Sequence, residues 1–170
     1  MMERKDLLKA LQDKNYSLAS IESLTGGLFA STFTSIPGAS KVFKGALVTY
    51  TDEVKETFGV EEETIKAHGA ISPETAKEMV LAAYKYFKAD VIISFTGNAG
   101  PDASEDKPVG LVYCGLKVAD HLYVYQLELS GDRDEIRKKV VDFGFKTILE
   151  KLNPIREEKQ PEIEPVSEQD

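Results

Sequence analysis

The sequence predicts an α/β fold, a three-layer α/β/α sandwich built on a mixed sheet, and three observations carry that expectation. Short apolar runs alternate with amphipathic stretches through the first hundred residues, the pattern of strands joined by crossover helices. Two further runs, 109–118 and 122–129, follow each other across a tight Ala119-Asp120 turn and read as an antiparallel hairpin, which makes the sheet mixed. A helix start at Asp132, with Glu135 three residues on as a capping-box partner, then supplies a last helix to about Leu152.

The earlier elements follow in order. Residues 4–14 place Leu7, Leu8 and Leu11 among charged residues, an amphipathic helix. Tyr16 to Ile21 reads as a strand, Gly27 to Ser35 as a helix and Pro37-Gly38-Ala39-Ser40 as a turn. Phe43 to Tyr50 reads as a second strand. Asp52 is the expected N-cap of a short helix that ends at Phe58-Gly59, where glycine suits the position after a helix. A further short helix is expected over 61–67. Ser72-Pro73-Glu74 combines a cap, a proline at the first position and an acid in the first turn, so a helix should run from there to Lys88. Asp90 to Phe95 reads as a buried strand, and Thr96 to Pro108 as a loop longer than a simple turn requires. From Asn153 the composition changes. Residues 154–170 hold three prolines and six acids against two bases, so the expected organisation is one domain over 1–152 and a disordered acidic tail over 153–170.

Composition excludes several classes. The chain has 170 residues, 42% hydrophobic and 29% charged, which is ordinary for a globular domain. No apolar run approaches the roughly 20 residues that span a bilayer, and the N-terminus lacks the pattern of a signal peptide, so a cytoplasmic location with no membrane partner is expected. A net charge of −8 without a basic patch argues against a nucleic-acid partner. Cys114 is the only cysteine and sits in an apolar run, a core filler by position. His68 and His121 have no metal-ligand spacing, so no metal site is expected from them.

The candidate chemistry begins at Ile21-Glu22-Ser23-Leu24-Thr25-Gly26-Gly27. A serine at a strand end before paired glycines can expose a nucleophilic hydroxyl or help bind an anion at a helix start. A nucleophilic serine needs a base. His121 falls in a hairpin turn and His68 at a helix end, which leaves lysine. Lys55, three residues after Asp52, would stand in the first turn of a helix, where the dipole disfavours its charged form. Tyr50, at the end of the preceding strand, could relay or orient the proton. The N–H groups of Gly26 and Gly27 could face an oxyanion or a phosphate. Thr96-Gly97-Asn98-Ala99-Gly100 is a second polar loop at a strand end, and Arg133 and Arg137 stand at i, i+4 on the last helix, able to clamp an anion or to pair with acids such as Asp134.

These segments, taken in order, resemble the C-terminal domain family of CinA. The resemblance covers residues 4–152. It rests on Glu22-Ser23-Leu24-Thr25-Gly26-Gly27, Phe43-Lys44-Gly45, Val48 to Lys55, Gly59-Val60, His68 to Ser72, Thr96 to Pro101, Lys107 to Gly110 and Gly131-Asp132-Arg133. It implies a nicotinamide-nucleotide amidase, a serine amidohydrolase that converts nicotinamide mononucleotide to nicotinic acid mononucleotide and ammonia without a cofactor. The family's serine, lysine and tyrosine match Ser23, Lys55 and Tyr50. N–H groups near Thr25, Gly26 and Gly27 would then hold the oxyanion, and Thr96, Gly97, Asn98, Ala99, Gly100, the turn at Gly38 and Ser40, and Arg133 are candidates to hold the nucleotide. Leu24, Ala46, Asn98 and Asp102-Ala103-Ser104 depart from the family's usual residues. Asn98 and 102–104 leave open a second reading, a nucleotide-binding module without catalysis in competence or DNA-damage regulation. The resemblance also implies a stand-alone version of the domain; an exposed apolar face on a small α/β domain is compatible with a homodimer.

Overall fold

Strand β1 (Leu18–Glu22) is buried at every position, and the rest of the sheet is arranged around it. In the computed structural model, which describes residues 2–153, it pairs in parallel with β2 (Phe43–Val48) on one side and with β3 (Val91–Gly97) on the other. β4 (Leu111–Val118) and β5 (His121–Glu128) continue the sheet antiparallel, giving the order β2-β1-β3-β4-β5. The expected mixed α/β sheet is therefore present. The expected tail over 154–170 lies outside the described residues.

Helices cover both faces. On one lie α1 (Met2–Lys14), α2 (Leu28–Thr34) and α6 (Arg133–Leu152), whose Leu7, Leu11, Phe29, Phe33 and Phe145 pack with Ile93, Phe95 and Cys114 of the sheet. On the other lie α3 (Asp52–Phe58), α4 (Glu62–His68) and α5 (Pro73–Phe87), where Met79, Val80 and Ala83 meet Ala19, Ile21 and Ile92. Side chains alternate across a strand, so Ser20 and Glu22 share the face toward α2 while Ala19 and Ile21 take the face toward α5.

The cap expected at Ser72 accepts from Thr75 N–H at 3.1 Å, and that at Asp132 accepts from Glu135 N–H at 2.9 Å. Element ends differ from expectation for identifiable reasons. β1 starts at Leu18 because Asn15 turns left-handed, Tyr16 N–H returns to Leu11 O, and Ser17 bonds to Asp90. β4 starts at Leu111 because Gly110, at φ 90°, gives its N–H to Asn98 O. β2 stops at Val48, and Thr51 caps α3 in place of Asp52, accepting from Val54 N–H at 3.3 Å.

β1 leads through α2 to β2 on one side, whereas β3, reached through α3–α5, lies on the other side. Chain segments leaving the carboxyl ends of β1 and β3 therefore diverge and open a crevice at this switch point.

Packing is tight where α5 crosses β4. Ser94 Oγ donates to Ala76 O at 2.7 Å and accepts from Gly115 N–H at 3.0 Å, and a Cβ at Gly115 would fall 2.6 Å from both Ala76 O and Ser94 Oγ. Gly115→Ala is expected to destabilise the fold by about 1–3 kcal/mol, read as a lower urea midpoint; an unchanged midpoint would show that α5 yields freely.

Candidate active site

Ser23 follows β1 directly, and its N–H is held by Phe95 O at 2.9 Å, which ties it to the end of β3. Its Oγ lies 2.8 Å from Lys55 Nζ. Lys55 comes from α3 and is 1% exposed, one of the largest buried side chains in the molecule. Its Nζ also reaches Thr49 O at 2.8 Å and Tyr50 O at 3.1 Å. No carboxylate forms an ion pair with it among the described residues. Burial pushes its pKa down from the ordinary 10.5 to about 8, against the opposing influence of Asp52 and Glu105. Desolvation is the leading cause of the lowering; α3 has only seven residues, and Lys55 falls in its last turn.

The three partners of Nζ suit both protonation states. Carbonyls only accept, so a neutral amine directs its two hydrogens to Thr49 O and Tyr50 O and turns its lone pair to Ser23 Oγ. When Lys55 is charged it donates to Ser23, whose own proton can go to Tyr50 O at 3.3 Å. A pKa of about 8 leaves roughly a tenth of the lysine neutral at pH 7.

The phenol of Tyr50 is placed differently from its main chain. Tyr50 is 53% exposed, and its hydroxyl accepts from Arg133 Nη2 at 3.0 Å, with no bond to Ser23 or Lys55. Tyr50 meets the Ser–Lys pair through its carbonyl. Arg133 also donates through Nη1 to Gly100 O at 2.6 Å and so bridges the β2–α3 connection and the loop after β3.

Glu22, quoted in the motif but given no role from sequence, settles what the start of α2 does. Its buried carboxylate accepts from Phe29 N–H at 2.9 Å, Ala30 N–H at 3.2 Å and Ser20 Oγ at 3.0 Å. The donors that could have received an external anion are therefore filled from within the chain. A polar residue on a buried strand face just before a helix start is the signal that could have pointed to it.

The cleft beside Ser23 has a volume of about 310 Å³. Ser23, Tyr50, Lys55, Thr96, Gly97, Asn98, Ala99, Gly100 and Arg133 of the expected site residues line it, together with Leu24, Asp52, Ile71, Asp102 and Glu105. Five expected residues are elsewhere. Thr25, Gly26 and Gly27 do not line it: Gly26 N–H bonds to Ser23 O at 3.0 Å, and the open side of Gly26 faces Arg137. Gly38 and Ser40 line a separate hollow with Thr34, Pro37 and Phe43. They precede β2, which is parallel to β1, so topology puts them at the opposite end of the sheet from Ser23.

Asn98 lines the cleft, yet its amide serves the loop itself. Nδ2 donates to Ser104 O at 3.1 Å and Lys107 O at 2.9 Å, and Oδ1 accepts from Ser104 N–H at 3.2 Å and Ser104 Oγ at 2.7 Å. The same loop grips the 68–72 turn: Glu105 accepts from Ala70 N–H at 2.6 Å and Ile71 N–H at 2.9 Å, and Lys107 donates to His68 O at 2.8 Å and to Ile71 O. Neither histidine lines the cleft. Among the described residues, no group of three or more His, Cys, Asp or Glu is placed to hold a metal ion, and no helix is long and apolar enough to cross a membrane.

The molecule is thus an α/β sandwich domain with a buried Ser–Lys pair at its topological switch point. The sequence profile of the CinA C-terminal domain matches residues 2–152, and the chain belongs to that family. A curated relative from Caldanaerobacter subterraneus is 49% identical over 141 residues, 82% of this chain and 34% of the relative. The CinA-like protein of Petrotoga mobilis is 44% identical over 146 residues, 85% of this chain and 36% of that one. The chain thus spans about a third of the length of these relatives. Among solved structures, a CinA superfamily protein from Klebsiella pneumoniae superposes with a TM-score of 0.87 at 26% identity, covering 90% of this chain and 97% of that one. A competence/damage inducible protein from Agrobacterium tumefaciens gives 0.84 at 31% identity, covering 89% and 94%.

Lys55→Met removes the buried ammonium and keeps the chain length. It is expected to raise stability at pH 7 by about 1–3 kcal/mol. Because the native pKa lies below the unfolded one, the unfolded chain binds more protons between pH 8 and 10.5. Wild-type stability therefore rises with pH across that window and the gap narrows. Urea midpoints at pH 7 and pH 10 test this, and a variant less stable than wild type at pH 7 would refute it.

Proposed function

We propose that the chain is a serine amidohydrolase that converts nicotinamide mononucleotide to nicotinic acid mononucleotide and ammonia. The observation that carries the reading is the 2.8 Å contact between Ser23 Oγ and a buried lysine with a lowered pKa, at the wall of a cleft. Neutral Lys55 accepts the Ser23 proton as Oγ attacks the amide carbon, and the lysine then gives that proton to the departing ammonia. Water opens the resulting ester in the second half, with Lys55 again as base. Arg133 is the arginine in the cleft, and it supports binding of the phosphate there, since Glu22 fills the start of α2. Asp52, Asp102 and Glu105 add negative charge to the lining, which suits a cationic pyridinium ring.

The non-catalytic alternative leans on Asn98 and residues 102–104 as changed ligand contacts. The Asn98 amide is engaged within its own loop, which weakens the first of these, while Asp102 and Ser104 still line the cleft.

Ser23→Ala should abolish ammonia release from nicotinamide mononucleotide, and Lys55→Ala should lower kcat by about 10²–10⁴-fold. Equal rates for wild type and Ser23→Ala would remove Ser23 as nucleophile. The kcat/KM of the wild type should rise with pH through an apparent pKa of about 8 and level off above it, since the neutral lysine is the working form. A profile flat from pH 6 to 9 would remove Lys55 as base.

A further inference from the structure

Two peptide N–H groups just after Ser23, those of Leu24 and Thr25, have no acceptor among the described residues. Both residues are buried, at 4% and 0% exposure, and Thr25 Oγ1 also lacks a partner. Buried N–H groups are rarely left unpaired, so a concentration of them beside a candidate nucleophile calls for a reason.

The carbonyls of the same peptides are all held. Ser23 O accepts from Gly26 N–H at 3.0 Å, Leu24 O from Arg137 Nε at 3.0 Å, and Thr25 O from Arg137 Nη2 at 2.9 Å and Leu28 N–H at 2.9 Å. In a trans peptide the C=O and N–H point in opposite directions. A donor that grips Leu24 O therefore fixes where Thr25 N–H points, and the bond to Ser23 O does the same for Leu24 N–H. Arg137 stands on α6, more than a hundred residues along the chain, and its planar fork matches two successive carbonyls in a way a lysine cannot. The ion pair to Asp134 at 3.7 Å is on the exposed side and leaves both carbonyl bonds intact.

We infer that Arg137 is a positioning residue: by holding the carbonyls of Leu24 and Thr25 it locks the turn after Ser23 so that Leu24, at the cleft wall, keeps a free N–H as the oxyanion donor. The inference rests on Ser23 being the nucleophile. It assigns the oxyanion to Leu24, since Leu24 lines the cleft while Thr25, Gly26 and Gly27 do not, and Gly26 N–H is already engaged with Ser23 O. Arg137 does not line the cleft, so its loss should act on kcat and leave KM nearly unchanged.

The test uses a fluorophosphonate, which reports on the nucleophile and the oxyanion site without needing the natural substrate. Ser23 Oγ forms a bond to phosphorus, the P–F bond breaks, fluoride leaves, and the serine proton passes to Lys55. Labelling rates at Ser23, read by intact mass and peptide mapping, are compared for wild type, Arg137→Ala and Arg137→Lys, each scaled to its folded fraction by circular dichroism. Arg137→Ala should label about 10–100-fold more slowly, with Arg137→Lys between. Turnover of nicotinamide mononucleotide should show the same fall in kcat with KM within about threefold. If Arg137→Ala does not fold, Arg137→Lys, which keeps the charge but only one of the two bonds, carries the comparison. Labelling of the folded variant at the wild-type rate, or a loss confined to KM, overturns the inference. Labelled wild type without turnover of the nucleotide removes the substrate reading and leaves the positioning role standing on the labelling rates. Wild type that is not labelled at Ser23 removes the nucleophile and this inference together.

Discussion

The site depends on one energetically awkward placement, a lysine ammonium at 1% exposure with no carboxylate bonded to it. Burying a charge is costly unless polar partners replace its water, and here two main-chain carbonyls and a hydroxyl do so. This arrangement shapes the local fold. β2 ends at Val48, and Thr49 and Tyr50 present their carbonyls to Nζ. The chain then turns at Thr51 into α3, which returns Lys55 to the same point. The strand end, the cap and the helix register make one device for holding an amine against Ser23. Its imperfect solvation of the charge is what keeps the pKa within reach of neutrality.

Glu22 solves the complementary problem on the other side of Ser23. A helix start aimed at the end of a strand attracts anions. Because the Glu22 carboxylate takes Phe29 and Ala30 N–H, α2 is closed from inside, and the segment between serves to present Ser23. On the far wall, Arg133 joins Gly100 and Tyr50 across the mouth of the cleft.

Much of this was legible in the sequence, and the rest was hidden for physical reasons. Helices, strands and the hairpin follow from periodicity and capping residues, and the lysine partner follows from having two badly placed histidines. The α3 cap was ambiguous because Thr51 and Asp52 are both good caps and only backbone geometry separates them. Tyr50 was singled out for its phenol, whereas its carbonyl meets Lys55; a main-chain atom leaves no mark on residue identity. Gly38 and Ser40 drew attention as a polar turn, and only the direction of β2 sets them at the other end of the sheet from Ser23. Asn98 looked like a ligand contact because it sits in a site loop; its four short hydrogen bonds within that loop depend on a long-loop conformation that no local pattern encodes.

The two walls of the cleft are made rigid by the same physical means. On the Ser23 side, Arg137 holds the carbonyls of residues 24 and 25. On the far side, Asn98 organises 98–108 from within, and Glu105 and Lys107 hold the N–H and C=O groups of the 68–72 turn. In each case charged or amide side chains replace the backbone pairing that regular structure would supply, which is how irregular segments at a switch point avoid unsatisfied polar groups. α6 joins the walls, because Arg133 and Arg137, one helical turn apart, reach the loop after β3 and the loop after β1 respectively. A rotation of α6 would therefore move both walls together, and Phe145 and Ile148, packed into the core from the same helix, oppose it.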